Sequence, residues 1–370
     1  MFPRFSYKII IFYSVCAFIF IISLIIVQFR NLTINRTVNN PPKQTEKNIN
    51  PVPNSADVTL YAVGDIMLSR TVSQKIAQNS PDYPFQFVTD FLHTGDINFA
   101  NLENPITNGP VVPIDSMTFH ATPGSEQGIK DAGFTVLCLA NNHIPNYGAK
   151  GIADTIQGLD ALGLKHTGAG NNLTEASTPA IMDVKGIRFA FLAYNDTDVI
   201  PPSYAAKDNP PHPGTNVFNI PLMQKSVQNA RSALNADVVI VAMHAGHEYH
   251  SQPDTDQVDF AHAAIDAGAD MVIGGHPHVL QPIEKYKDKY IFYSLGNFVF
   301  DQQFEDDVQQ SVITETHFIK NAQSGEVAIT VPIFHPAYLK TLAQPKLIQE
   351  SDPEYAAIIS RLTAAVVPEK

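Results

Sequence analysis

Histidine, carboxylate and carboxamide side chains recur in this sequence at the ends of short apolar runs. Gly275-His276-Pro277-His278 sets two imidazoles on either side of a proline, which holds them in fixed relative geometry. His244 opens a stretch through His247, Glu248, Tyr249 and His250 that is dense in imidazole and carries one carboxylate. Asn142-His143 follows an apolar run, where such a pair has no packing purpose. Asp65 follows Gly64, and Glu103 closes Asn101-Leu102-Glu103. Taken singly, Gly64-Asp65 also reads as an ordinary turn pair, and Glu103 as an ordinary loop carboxylate. Together the set combines carboxylate, amide oxygen and imidazole, and imidazole is the commonest metal-binding side chain. That mixture suits manganese, iron or zinc better than calcium. Two such ions about 3.5–4 Å apart activate a bridging water and clamp the oxygens of an in-line displacement.

The elements that must position these residues follow from the apolar runs at 58–63, 97–100, 134–140, 238–243 and 271–273, each ending at one of the clusters. Helical patterns at 150–162, 222–234 and 255–267 lie between several of them, whereas strand signals at 289–294, 312–319 and 326–333 lack helices between them. Strands alternating with helices predict an α/β domain. Sites in such domains lie just past the carboxyl ends of strands, so five clusters placed this way predict one shared rim. Tyr293-Ser294-Leu295-Gly296-Asn297-Phe298 reads as a buried strand and tight turn, or alternatively as a segment whose Asn297, or the nearby Asp301, lines the pocket. Glu248 and Tyr249, next to His244, read as groups that touch substrate or support the ligands.

The chain has 370 residues and a formal net charge of -12. The acidic balance excludes non-specific nucleic-acid binding, which draws on basic patches. An anionic substrate stays open, because bound metal ions invert the local field, but no basic patch stands out in the sequence. The cysteines, Cys16 and Cys138, have no ligand spacing and read as inert buried thiols. The run 9–27 is apolar and uncharged, long enough to cross a bilayer core of about 30 Å. Gln28-Phe29-Arg30 follows it where a cleaved signal would show small residues, which predicts an uncleaved transmembrane anchor. Arg4 and Lys8 before the run, set against Arg30 and Arg36 after it, leave a slight bias toward a cytoplasmic N-terminus and an extracytoplasmic main domain. The expected organisation is an anchor at 1–30, a polar, proline-containing tether at 31–56, one large domain at 57–345 and a tail at 346–370.

The ordered series Gly-Asp, Asn-Leu-Glu, Asn-Asn-His, His-x-Gly-x-Glu-Tyr, Gly-His-Pro-His and Tyr-Ser-Leu-Gly-Asn-Phe-Val-Phe-Asp resembles the poly-gamma-glutamate capsule-biosynthesis CapA family, within the calcineurin-like metallophosphoesterase superfamily. The match runs from about residue 58 to 301. The resemblance implies a four-layer α/β/β/α sandwich with one or two divalent transition metal ions at one end of its paired sheets. It implies that Asp65 and His278 bind a first metal, that Asn142, His244 and His276 bind a second, and that Glu103 bridges them. His143 would be a non-ligand imidazole that stabilises charge on the reacting group or protonates the leaving oxygen. Superfamily enzymes usually carry histidine where this chain has Met67, and aspartate where it has Glu103, so the first site is expected to be the weaker. Three functions are compatible with these residues. One is a metal-dependent hydrolase or transferase acting on an anionic envelope polymer such as poly-gamma-glutamate, or on a phosphorylated intermediate. The others are a non-catalytic scaffold assembled with other capsule-synthesis membrane proteins, and a general extracytoplasmic phosphoesterase.

Overall fold

A computed structural model describes residues 55–111 and 117–369. The apolar run at 9–27 lies outside the described residues, and among those described no helix is long and apolar enough to cross a membrane. Residues 31–54 of the expected tether also lie outside the described residues, and its last residue, Ala56, opens the first strand.

Two sheets form the frame. The first contains β1 (Ala56–Ile66), β2 (Ile97–Leu102), β3 (Val136–Cys138) and β4 (Lys165–Thr167), parallel and adjacent in that order. The second contains β5 (Ala180–Val184), β6 (Ile187–Asn195), β7 (Val238–His244), β8 (Met271–Gly275), β9 (Ile283–Tyr286) and β10 (Lys289–Phe292). In it β6, β7, β8 and β10 run parallel, with β5 and β9 antiparallel at the edges. The chain then returns to the first sheet. β11 (Asn297–Val299) pairs with the end of β1, and β12 (Gln310–Lys320) runs antiparallel along the rest of the same side, away from β2. β13 (Val327–Ile329) and β14 (Ile333–Thr341) both pair with β12, and β15 (Gln344–Leu347) finishes that edge.

Side-chain alternation explains why the sheets stack. Successive residues of a strand point to opposite faces. In β1, Val58, Leu60 and Ala62 enter the apolar layer shared with Phe189, Phe191 and Ala193 of β6 and with Val238, Ile240 and Ala242 of β7. Tyr61 and Val63 point the other way and meet Val72 of α1 (Arg70–Gln78), Ile129 of α2 (Glu126–Asp131) and Ile152 and Leu159 of α3 (Gly148–Ala161). On the far side of the second sheet, Leu192, Val239 and Val241 meet Met223 and Val227 of α4 (Ile220–Ser232) and Phe260 and Ala264 of α5 (Thr255–Asp266). Three apolar layers thus separate four layers of secondary structure, in the order helix, sheet, sheet, helix. Strands buried on both faces read as near-continuous apolar runs, which is the pattern of β1, β6 and β7.

Several expected boundaries shift. The run 134–140 shortens to β3, and the strand expected over 326–333 divides between β13 and β14. β6 lies outside the strands expected from the sequence, yet it runs beside β7 in the second sheet and ends at Asn195, ahead of the buried Asp196. Residues 346–369, expected as a tail, carry the end of β15 and α6 (Pro353–Leu362), whose Ile358 and Leu362 join the layer between the sheets.

At the site end of β1 the backbone passes very close to a neighbouring turn. A Cβ on Gly64 would lie 1.8 Å from the carbonyl oxygen of Gly296, and Asp65 N donates to that same oxygen at 2.9 Å. The obstructing atoms are backbone, so they have no rotamer by which to withdraw. Gly64→Ala is expected to destabilise the protein by about 3 kcal/mol or more, as overpacking against backbone does. Chemical denaturation measures it, and a loss below about 1 kcal/mol would contradict the close approach.

Candidate metal centre

Each residue of the centre follows the end of a strand or a turn beside it. Asp65 stands near the end of β1, Glu103 directly after β2, and Asn142 and His143 in the loop after β3. His244 is the last residue of β7, while His276 and His278 follow β8. The first sheet therefore supplies both carboxylates, Asn142 and His143, and the second supplies three imidazoles. The carriers are locally unusual. His276 has φ 99° and His278 φ 59°, a region that non-glycine residues rarely enter and that clusters at functional sites. A Cβ on Gly275 would lie 2.4 Å from Asp65 Oδ1, so glycine there lets the second sheet reach the carboxylate.

Glu103 is fully buried, and neither of its carboxylate oxygens has a hydrogen-bond partner. Around its Oε1 stand His278 Nε2 at 3.7 Å, His244 Nε2 at 3.9 Å and His143 Nε2 at 4.0 Å. These separations are too long for hydrogen bonds and leave room for a cation between lone pairs. His244 Nε2 also lies 3.1 Å from Asn142 Oδ1 and 3.2 Å from His276 Nδ1. Ligand atoms of Asp65, Glu103 and His244 fall within 4.8 Å of one another. Acceptors converging with so few donors suit a divalent metal ion, which satisfies them at about 2.0–2.2 Å each. All six residues expected as ligands are brought together.

Neighbouring amides fix the ligand orientations. Asn297 Nδ2 donates to Gln302 Oε1 at 3.0 Å and to the Val308 carbonyl at 3.0 Å, so its oxygen is the atom that faces His278 Nδ1 at 3.0 Å. His278 Nδ1–H donates to it, leaving the Nε2 lone pair toward Glu103. Asn146 Oδ1 accepts from Phe119 N at 2.8 Å and holds His143 Nδ1 at 2.9 Å in the same manner. Asn141 Oδ1 accepts from the backbone N–H groups of His143 and Ile144, and its Nδ2 donates to Asn101 Oδ1 at 2.9 Å. Asn101 Nδ2 then donates to Asp65 Oδ1 at 2.8 Å, while the His276 backbone N–H donates to Asp65 Oδ2 at 3.1 Å.

The electrostatics point the same way. Burial pushes Asp65 up to about 6, opposed by the hydrogen bond from Asn101. Burial, and then the charge of Asp65, hold Glu103 well above the usual carboxylate range. Burial and the neighbouring imidazoles hold His244 and His276 well below the usual histidine range, and burial lowers His278 to about 3. Neutral imidazoles are what a metal requires of its ligands, whereas the raised carboxyls would have to release their protons on binding one, so metal affinity should rise with pH.

Other expectations divide. Only His244 of its histidine-rich stretch turns inward. His247 pairs with Asp254 at 3.1 Å and His250 with Glu369, both largely exposed. Tyr249 stands at the rim with its ring 6.1 Å from that of His278, and its hydroxyl accepts from Gln302 at 3.0 Å. Partial burial, and then Glu248, push that hydroxyl up to about 12. Met67 is fully buried in the apolar layer under the helices, and its sulfur accepts from Ser69 N at 3.0 Å. Arg70, Asn101, Phe119, Asn141 and Asn146 were not singled out individually. Asn101 and Asn141 stood inside the quoted clusters, so only the role of the carboxamides was hidden. Arg70 had no signal beyond its place five residues after Asp65.

Glu103→Gln separates charge from shape. A carboxyl whose folded pKa is raised gives stability that is complete below its unfolded value, near 4.5, and lost as pH rises toward the folded value. Metal-free wild type should therefore weaken as pH rises above about 5, whereas metal-free Glu103→Gln should weaken less and be more stable at pH 8 by about 1–3 kcal/mol. Manganese should raise the melting temperature of wild type and not of the variant. Superimposable pH profiles for the two metal-free proteins would contradict the orphaned carboxylate.

The family described as "Bacterial capsule synthesis protein PGA_cap" matches residues 59–302. The chain is 37% identical over 298 residues to the PGA biosynthesis protein CapA of Bacillus subtilis, covering 78% of this chain and 76% of that protein. It is 39% identical over 251 residues to the capsule biosynthesis protein CapA of Bacillus anthracis, covering 66% of this chain and 60% of that one. Among solved structures, the calcineurin-like phosphoesterase YfkN of Bacillus subtilis aligns with a TM-score of 0.48 and 12% identity, covering 79% of this chain and 94% of that one. On the extent of the sequence match, the chain belongs to the bacterial capsule synthesis PGA_cap family.

Proposed function

We propose that this protein acts in capsule or poly-gamma-glutamate synthesis as a metal-dependent hydrolase or transferase, on an anionic envelope polymer or a phosphorylated intermediate. The observation that carries the reading is His143. Its Nδ1 is held by Asn146, its ring stacks on Phe119 with centroids 3.9 Å apart, and its Nε2 faces the ligand cluster 4.0 Å from Glu103. A centre that only held the fold together would need no imidazole steadied in this way beside its ligands.

Asp65, Glu103, Asn142, His244, His276 and His278 would hold manganese, iron or zinc. When bound, such an ion polarises the scissile group and makes water acidic near neutral pH. The protein's own groups do the rest. With Nδ1–H donating to Asn146, Nε2 of His143 takes up a proton from solvent and, as the imidazolium, passes it to the leaving oxygen. Burial of the carboxylates excludes competing water and strengthens every charge interaction in the cluster. We further propose that the run 9–27 anchors the chain in the membrane with the described domain outside the cytoplasm, close to other capsule-synthesis membrane proteins.

Met67 favours a second reading. The side chain expected to be imidazole is instead packed among apolar neighbours, which suits a scaffold whose centre is only partly equipped. The readings separate on turnover of bis-p-nitrophenyl phosphate by the manganese-loaded full chain. His143→Ala should cost about 10²–10⁴-fold in kcat while leaving manganese content unchanged. His244→Ala should lose both metal and activity. Absence of turnover in wild type, together with full complementation of polymer synthesis by His143→Ala, would leave the scaffold.

A further inference from the structure

An acidic chain that handles a polyanion needs a positive group at its mouth, and the fold builds one at Arg70. Arg70 opens α1 with φ 52°, which turns it away from an ordinary helical start. Its guanidinium carbon lies 4.6 Å from the centre of the Phe119 ring and 5.6 Å from that of Phe300. Those same rings pack on the site imidazoles, Phe119 on His143 at 3.9 Å and Phe300 on His278 at 4.7 Å. The cation is thus one aromatic ring removed from the proposed acid and from a proposed ligand. Nη2 donates to Asp301 Oδ1, and the other oxygen of Asp301 accepts from Thr71 N at 3.2 Å. Asp301 is nearly buried while the Arg70 side chain stays 34% exposed.

We propose that Arg70 is an anion-binding residue of this site, taking a carboxylate or phosphate group of the substrate next to the group that reacts. The proposal rests on the metal-centre reading given above. An arginine held by one carboxylate, two ring faces and a 3.9 Å contact from Nη1 to Met117 Sδ loses little freedom on binding, and with Nε buried it is the outer N–H groups of Nη1 and Nη2 that would meet the planar fork of a carboxylate or phosphate. One ring of spacing separates the bound anion from the reacting atom, which fits a substrate carrying more than one negative group.

The test uses the manganese-loaded full chain, with inorganic phosphate and glutarate as separate calorimetric probes. Arg70→Gln should weaken binding of the preferred probe about tenfold or more with manganese stoichiometry unchanged. Arg70→Lys should recover only part of it, since lysine keeps the charge and loses the fork. Selective loss of phosphate binding identifies a phosphoryl group, and selective loss of glutarate binding a carboxylate. Unchanged binding of both probes in Arg70→Gln, with manganese still bound, would overturn the role of Arg70 and leave the centre standing. Wild type that binds no manganese would overturn the centre and this proposal with it.

Discussion

The interaction on which the rest depends is the burial of two carboxylates in one cluster. Asp65 and Glu103 are fully buried, and Glu103 has no donor for either oxygen. Desolvating an anion costs several kcal/mol unless a counter-charge or donors replace the lost water. Asp65 is partly compensated by the Asn101 amide and the His276 backbone N–H. Glu103 instead faces three imidazole nitrogens, which are themselves acceptors unless protonated. A cation resolves this conflict, and most features around it serve to hold the acceptors apart by the right amount.

That need explains the unusual backbone at the rim. Gly64 allows β1 to approach the turn at Gly296, and Gly275 leaves room for Asp65. His276 and His278 take left-handed conformations around Pro277. Among the carboxamides, Asn146 and Asn297 hold Nδ1 of His143 and His278, while Asn141 holds the loop backbone and Asn101 holds Asp65. Carboxamides suit this task because each offers a donor and an acceptor in fixed relation.

Much of this arrangement was legible in the sequence, for a physical reason. Strands that are buried on both faces are apolar almost throughout, so a polar residue at their carboxyl end stands out. Asp65, Glu103, Asn142, His244 and His276 all occupy such positions, and His278 follows His276 across a proline. The alternation of apolar runs with helical patterns likewise indicated an α/β domain, and the layering was implied by the family resemblance. Contacts between distant segments were not legible. Arg70 meets Phe119, Phe300 and Asp301 only once the first sheet closes, and nothing local marks those partners. His247 and His250 misled in the opposite direction, since crowding in sequence placed them beside His244 although the loop turns them outward. The final helix α6 looked like a tail because its apolar face is narrow.

The two sheets share no strand. Between them lies an apolar layer, whose attraction is strong but has no preferred direction. At the rim the contacts change character, with carboxylates from one sheet facing imidazoles from the other at separations that only a narrow range of alignments preserves. The rim therefore acts as a vernier for the sandwich, converting a small shear between the sheets into a change in the spacing of these groups. Anything that slides one sheet over the other has a mechanical route to that spacing.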